Sequence, residues 1–286
     1  MAKNETSAIT YSDLLSGEKL YLQRARLTLP YLVRQAKAGQ TIYYSDLAEE
    51  IGIPNPRNLN YPLGAIGNGL ITLGKKLKLE IPPIQCLAIN KNTNLPGEGI
   101  GWFISETEFK KLSKSRKQEL VNRQLTSIYA FPHWSKVLSS LGLEEIDNEI
   151  IPIIEKAKRL GFGGGESESH KKFKEAIAKK PFLLGLNTLQ GQTEYKLPSG
   201  DCIDVLFQNK NQIIGVEVKS KISADEDIMR GLFQCVKYKY LVEAEQILRG
   251  QEPNSRIILA LQNKFPSKLL GAKNVLGIEV IDGIKI

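Results

Sequence analysis

The chain has 286 residues, 42% of them hydrophobic and 24% charged, with a formal net charge of +8. This is ordinary composition for a soluble protein of two domains, and the cationic surplus favours a polyanionic partner through phosphate neutralisation. Three cysteines, Cys86, Cys202 and Cys235, are odd in number and widely spaced, which argues against a disulfide framework and a zinc site. No stretch approaches the ~18 apolar residues that a membrane span needs, so a cytoplasmic protein without membrane contact is expected.

Residues 11–38 read as helix from the spacing of Leu14, Leu22, Leu29, Leu32 and Val33, with Pro30 arguing for a break into two. Ser45 can cap a helix over 46–51, and after the turn at 52–57 a further helix over 61–77 carries Leu63, Ile66, Leu70 and Leu73. Residues 81–89 and 101–104 read as strands around a polar loop. Helix, turn, helix and strand pair together fit a winged helix-turn-helix.

The stretch 41–101 resembles the winged-helix DNA-binding domain of alkyltransferase-like proteins. The likeness is carried by Thr41-Ile-Tyr-Tyr-Ser-Asp-Leu-Ala, by Pro62-Leu-Gly-Ala-Ile-Gly-Asn-Gly-Leu, and by Ile81-Pro-Pro-Ile-Gln-Cys ahead of Asn90-Lys91. Alkyltransferases place the reactive cysteine in Pro-Cys-His-Arg. Here Cys86 is followed by Leu-Ala, and without a basic neighbour to stabilise a thiolate it reads as a packed thiol. The resemblance therefore implies DNA binding and not alkyl transfer. Candidate contacts are Arg57, Asn58, Asn60, Asn68, Lys75, Lys76 and Lys91, where asparagines let a backbone approach and cations neutralise phosphates.

Residues 107–126 form a strongly charged helix, either a solvated connector or a phosphate-facing stripe. Phe131, Trp134, Val137, Leu138 and Leu141 mark a helix within 129–143 that packs on the N-terminal domain, and His133 reads as a surface residue. Gly161-Phe-Gly-Gly-Gly is the clearest linker and lacks the Gly-Lys-Ser/Thr of a phosphate cradle. The boundary is set near Gly163. This gives a mostly α, winged-helix-like domain over 1–105, a helical connector and linker over 106–165, and a second domain over 166–286.

The second domain opens with a helix over 167–180, capped by Ser167 and ended by Pro181. Strands follow at 193–197, 203–208 and 212–219, the last two a hairpin around Asn209-Lys210-Asn211. A helix over 225–245, a strand at 256–260, a helical turn near 267–270 and a strand at 275–281 complete an α/β sheet sandwiched by helices. Ile213, Ile214, Val216 and Val218 make strand 212–219 apolar on both faces, as in a central strand. Asp204, Glu217 and Lys219 sit inside these runs, where a charge is costly unless paired or metal-bound. Glu217 and Lys219 are two apart and share a face, and Asp204 lies on the partner strand. Two carboxylates suit Mg²⁺, and a lysine beside it can position or deprotonate an attacking water.

With Asp204 and then Glu217-Val218-Lys219, followed by Gln234-Cys-Val-Lys-Tyr238, this half resembles the PD-(D/E)XK nuclease superfamily and the Q-x-x-x-Y element of its RecB-type branch. The resemblance implies a restriction-endonuclease-like α/β/α core. It implies Mg²⁺, or Mn²⁺ in its place, held by Asp204, Glu217 and the Val218 carbonyl, with Lys219 at the attacking water and Gln234 and Tyr238 positioning the site. Such nucleases often carry a glutamate on the first core helix. Glu168 is the first choice, ahead of Glu175, through Glu168-Ser-His170, Lys174 and Pro181, and it reads equally as an N-terminal acid complementing the helix dipole. His170 reads as an exposed polar residue. The expected function is a DNA endonuclease of restriction or repair, as a homodimer where both strands are cut. The alternative is a non-catalytic DNA-binding protein that keeps the nuclease fold as a docking platform.

Overall fold

The computed structural model describes residues 9–104, 109–146, 167–188, 190–209 and 212–286. They form a mixed α/β chain of two compact units, 1–147 and 148–286. The glycine linker and the expected boundary near Gly163 lie outside the described residues.

The first unit contains helices α1 (Tyr11–Ser16), α2 (Leu20–Ala38), α3 (Tyr44–Glu50), α4 (Asn60–Leu77), α5 (Lys114–Ala130) and α6 (Trp134–Ser140). The break in the first helical stretch falls at Gly17, and Pro30 lies inside α2. A Cβ at Gly17 would sit 2.2 Å from Leu22 Cδ1 and 2.5 Å from the Asp13 carbonyl oxygen, so the turn there requires glycine. α3 begins at Tyr44, which leaves Ser45 inside the first turn and not at the cap.

The expected wing strands are largely replaced. Residues 81–89 supply only β2 (Ala88–Ile89), after a 3₁₀ turn Ile84–Leu87, and β2 pairs in parallel with β1 (Ile42–Tyr43). Pro82 and Pro83 have no N–H for a ladder. Residues 101–104 overlap and follow a 3₁₀ turn Glu98–Trp102, where Gly97, Gly99 and Gly101 disfavour a strand. The core of this unit buries Leu29, Leu32, Leu47, Leu59, Ile66, Leu73, Ile84 and Leu87 completely. Val121 and Ile128 of α5, with Trp134, Val137 and Leu138 of α6, belong to the same core. The stretch expected as a connector is thus, over α5 and α6, part of the first unit.

The second unit is a five-stranded sheet, β3 (Gln192–Lys196), β4 (Cys202–Asn209), β5 (Gln212–Lys219), β6 (Ser255–Leu261) and β7 (Glu279–Ile281), in that spatial order. β3, β4 and β5 are antiparallel, and β5, β6 and β7 are parallel. Side chains alternate between two apolar layers. Val216, Val218, Ile258 and Ala260 meet Phe173 and Ile177 of α7 (Glu168–Lys179). Ile257, Leu259 and Leu261 meet Ile228, Leu232, Cys235 and Val242 of α8 (Asp225–Leu248). Ser167 caps α7 as expected, accepting from the His170 N–H at 3.2 Å. Val275 and Leu276, expected in the last strand, end α9 (Leu270–Leu276), because Gly277 adopts φ +65 and closes a helix there. Among the described residues no helix is long and apolar enough to cross a membrane.

Candidate active site

The β4–β5 ladder ends at the pair Val205–Val216. Beyond it the two strands form no further backbone pair, and Asp204 lies within electrostatic reach of Glu217. The Asp204 side chain takes over from the lost ladder, Oδ2 accepting from the Val218 N–H at 2.9 Å. Because the N–H and C=O of one strand residue leave on the same edge, the Val218 carbonyl faces the same opening. Glu217 and Lys219 leave β5 together toward α8, and both are buried, at 3% and 6% exposure. Lys219 Nζ lies 2.9 Å from Glu217 Oε1 and 3.1 Å from Asp227 Oδ1, in the first turn of α8.

A hydrogen-bonded chain fixes these groups from α8. Lys219 Nζ donates to Gln234 Oε1 at 3.4 Å, Gln234 Nε2 donates to the Tyr238 hydroxyl at 3.4 Å, and that hydroxyl donates to the Cys202 carbonyl at 2.8 Å. The i, i+4 spacing of Gln234 and Tyr238 puts them on one helix face, so the helix ties β5 to β4 two residues before Asp204. Gly231 makes room for the lysine: a Cβ there would lie 2.8 Å from Lys219 Cε and 2.9 Å from Leu259 Cδ1.

A cavity of about 530 Å³ opens above these residues, lined among others by His170, Lys174, Glu194, Asp204 and Lys219. His170 Nε2 is 3.5 Å from Asp204 Oδ1, so His170 faces the site and is not the exposed residue expected. Glu168 is not brought here. Its side chain is exposed and pairs with Lys172 at 3.4 Å, as a solvated acid at a helix N-terminus. From the same helix, Lys174 reaches the cavity and ion-pairs with Glu194 of β3. Asp227, Gly231, His170, Lys174 and Glu194 were not singled out from the sequence as site residues. The visible hints were a glycine inside a helical pattern and an acid in the first turn of the helix after Lys219.

Burial, and then the Asp204 carboxylate, push the Glu217 carboxyl up to about 8, against the pull of Lys219. Burial pulls Lys219 down, but the Glu217 and Asp227 carboxylates outweigh it and hold the ammonium above the ordinary lysine value. Burial, with the Glu217 charge next, also keeps the Tyr238 hydroxyl protonated. Glu217 and Asp204 are thus two carboxyl groups within electrostatic reach of each other, beside one ammonium. That donor set fits Mg²⁺, which takes one or two carboxylates and keeps waters. Among the described residues no three His, Cys, Asp or Glu side chains form a metal-holding group.

In the first unit Arg57, Asn58, Asn60, Lys75, Lys76 and Lys91 are exposed and Asn68 is half-buried. Asn60, Asn68 and Lys75 share one face of α4 by helical spacing. Lys76 instead turns over the Tyr11 ring at 4.5 Å, and Lys91 lies 5.9 Å from the Tyr43 ring. Cys86 is fully buried and burial raises its thiol, as suits a packed residue. Asn60, Tyr44, Gln85 and Phe103 line a cavity of about 500 Å³, in which neither amide atom of the buried Gln85 has a hydrogen-bond partner among the described residues.

Fold and site together define a mixed α/β chain whose second unit gathers two carboxylates and an ammonium where a ladder ends. Comparison with protein-family models, curated proteins and solved structures finds no match.

Proposed function

We propose that the chain is a metal-dependent endonuclease that hydrolyses phosphodiester bonds in DNA. Its second unit follows the restriction-endonuclease-like plan of the PD-(D/E)XK nucleases, and its first unit is a largely helical DNA-binding module. One observation carries the reading: Asp204 replaces a backbone acceptor at the end of the ladder, which brings it beside Glu217 and Lys219 under a cavity.

Asp204, Glu217 and the Val218 carbonyl are the oxygens that would hold Mg²⁺ or Mn²⁺. When bound, such an ion polarises a phosphoryl oxygen and lowers the pKa of water. Lys219 orients the attacking water and offsets negative charge on the phosphoryl oxygens in the transition state. Gln234 and Tyr238 hold Lys219 and β4 in place. Asn60, Asn68 and Lys75 on α4 supply contacts to the DNA backbone.

The test is a panel of duplex, single-stranded, branched and methylated DNA, incubated with Mg²⁺, with Mn²⁺ and with chelator. Cleavage that needs a divalent ion is expected, and the substrate preferred separates restriction from repair. Binding without cleavage across the whole panel would remove the enzyme reading and leave the docking platform.

Gly231→Ala is expected to lower the cleavage rate on the order of 10²-fold by displacing the Lys219 stem, since small misplacements of reacting groups cost that much. The fold should persist: alanine's helix propensity, worth ~1 kcal/mol, offsets part of an overpacking cost of ~1–3 kcal/mol. Rate and melting temperature measured together check this.

A further inference from the structure

We propose that Lys174 binds a phosphate oxygen of the substrate strand and that Glu194 keeps its place until the substrate arrives. The inference rests on the nuclease reading above and deepens it. Lys174 is only 4% exposed on α7, yet it lines the same cavity as Asp204 and Lys219. A buried ammonium needs a nearby anion, and here Glu194 supplies it.

Glu194 is badly placed for a permanent structural partner. Its side chain is 56% exposed. Its backbone adopts φ +55, alone among the non-glycine strand residues described, a conformation that L side chains hold only when their surroundings enforce it. The register places it between the pairs Thr193–Val205 and Tyr195–Ile203, opposite Asp204, whose charge works against the stronger hold of Lys174. Cys202 Sγ also donates to Glu194, at 3.3 Å.

The pair thus joins a fixed, buried cation to an anion that is solvated, strained and repelled by its neighbour. A phosphodiester entering the cavity carries the same charge. It can take the ammonium and release Glu194 to water. Three adjacent strands then divide the work: Asp204 and Glu217 of β4 and β5 would hold the ion, and Glu194 of β3 holds the lysine that would take the phosphate.

The test uses the full chain and a short labelled DNA duplex, with Ca²⁺ replacing Mg²⁺ to hold back turnover. Lys174→Met should weaken binding about tenfold and lower the slope of log affinity against log salt by about 1. Glu194→Gln should tighten binding severalfold, because the competitor loses its charge. The double variant, which removes both charges, should melt as the wild type does and bind as weakly as Lys174→Met. A purely structural ion pair predicts that both single variants weaken binding alike. That result, or no change in either, overturns the proposal. In those cases loss of cleavage in Asp204→Asn would show that the nuclease reading itself survives. A wild type that neither binds nor cuts DNA overturns both.

Discussion

Asp204→Asn and Glu217→Gln should each lose nearly all DNA cleavage while keeping the fold. Asparagine retains an oxygen to accept the Val218 N–H, so the end of the ladder survives, but the charge that would meet an ion is gone. Glutamine at 217 keeps the shape of a side chain that is 3% exposed and leaves Asp204 as the single carboxylate proposed to hold the ion. Lys219→Met should lose about 10²–10³-fold, the usual effect of removing one preorganised group that stabilises transition-state charge. It should lose less than either carboxylate variant, because the ion-binding oxygens remain. It should also be the least stable of the three, since Glu217 is then buried beside Asp204 without its cation. Single-turnover rates at saturating Mg²⁺, with circular dichroism melts beside them, measure both orders. Wild-type rates in all three folded variants would remove these residues from the chemistry.

The metal-free protein should become less stable as pH rises from about 4.5 toward about 8. The group responsible is Glu217, whose folded pKa is raised by burial and by Asp204. Below its unfolded pKa both states are protonated and the contribution is fully present. Between the two values the folded state holds a proton that the unfolded state has lost, and stability falls as pH climbs through the folded pKa, by a few kcal/mol in all, on the order of one pKa unit per 1.4 kcal/mol. The neighbours act elsewhere. Asp227 is lowered, burial notwithstanding, by Lys219, and Glu194 is lowered by Lys174, so their contributions are lost only as pH falls into the acid range. Lys219 is raised, and its contribution is lost only at alkaline pH.

Urea unfolding with chelator, across the neutral range, should therefore show a downward slope that Glu217→Gln abolishes. Mg²⁺ should flatten or reverse it, because the ion binds the ionised carboxylate in the folded state. A flat profile in the wild type would mean that Glu217 is not held protonated.

How far the sequence reaches varies element by element. Strand β5, at Gln212–Lys219, matches its expected limits to the residue, because two apolar runs around a polar turn have one economical solution. Helix α4 is found within a residue of its expected start, from apolar spacing alone. Pro30 misleads in the other direction. A proline implies a helix break by local rules, yet the chain breaks at Gly17, where a Cβ would collide with Leu22. The wing is misread because a run such as residues 81–89 looks like a strand until a pairing partner is required, and β1 is the partner it meets.

From the sequence alone come two carboxylates and a lysine inside buried strands, the hairpin that carries them, and the Gln234–Tyr238 face of the following helix. These are local facts, set by alternation and by i, i+4 spacing. Only the tertiary structure decides that Asp204 bonds the Val218 N–H, that His170 and Lys174 reach the cavity while Glu168 stays in solvent, and that Glu194 turns through a left-handed conformation onto Lys174. Each of these depends on strand register and on the rotation of a helix over a sheet, and both are settled by the packing of residues far apart in the chain.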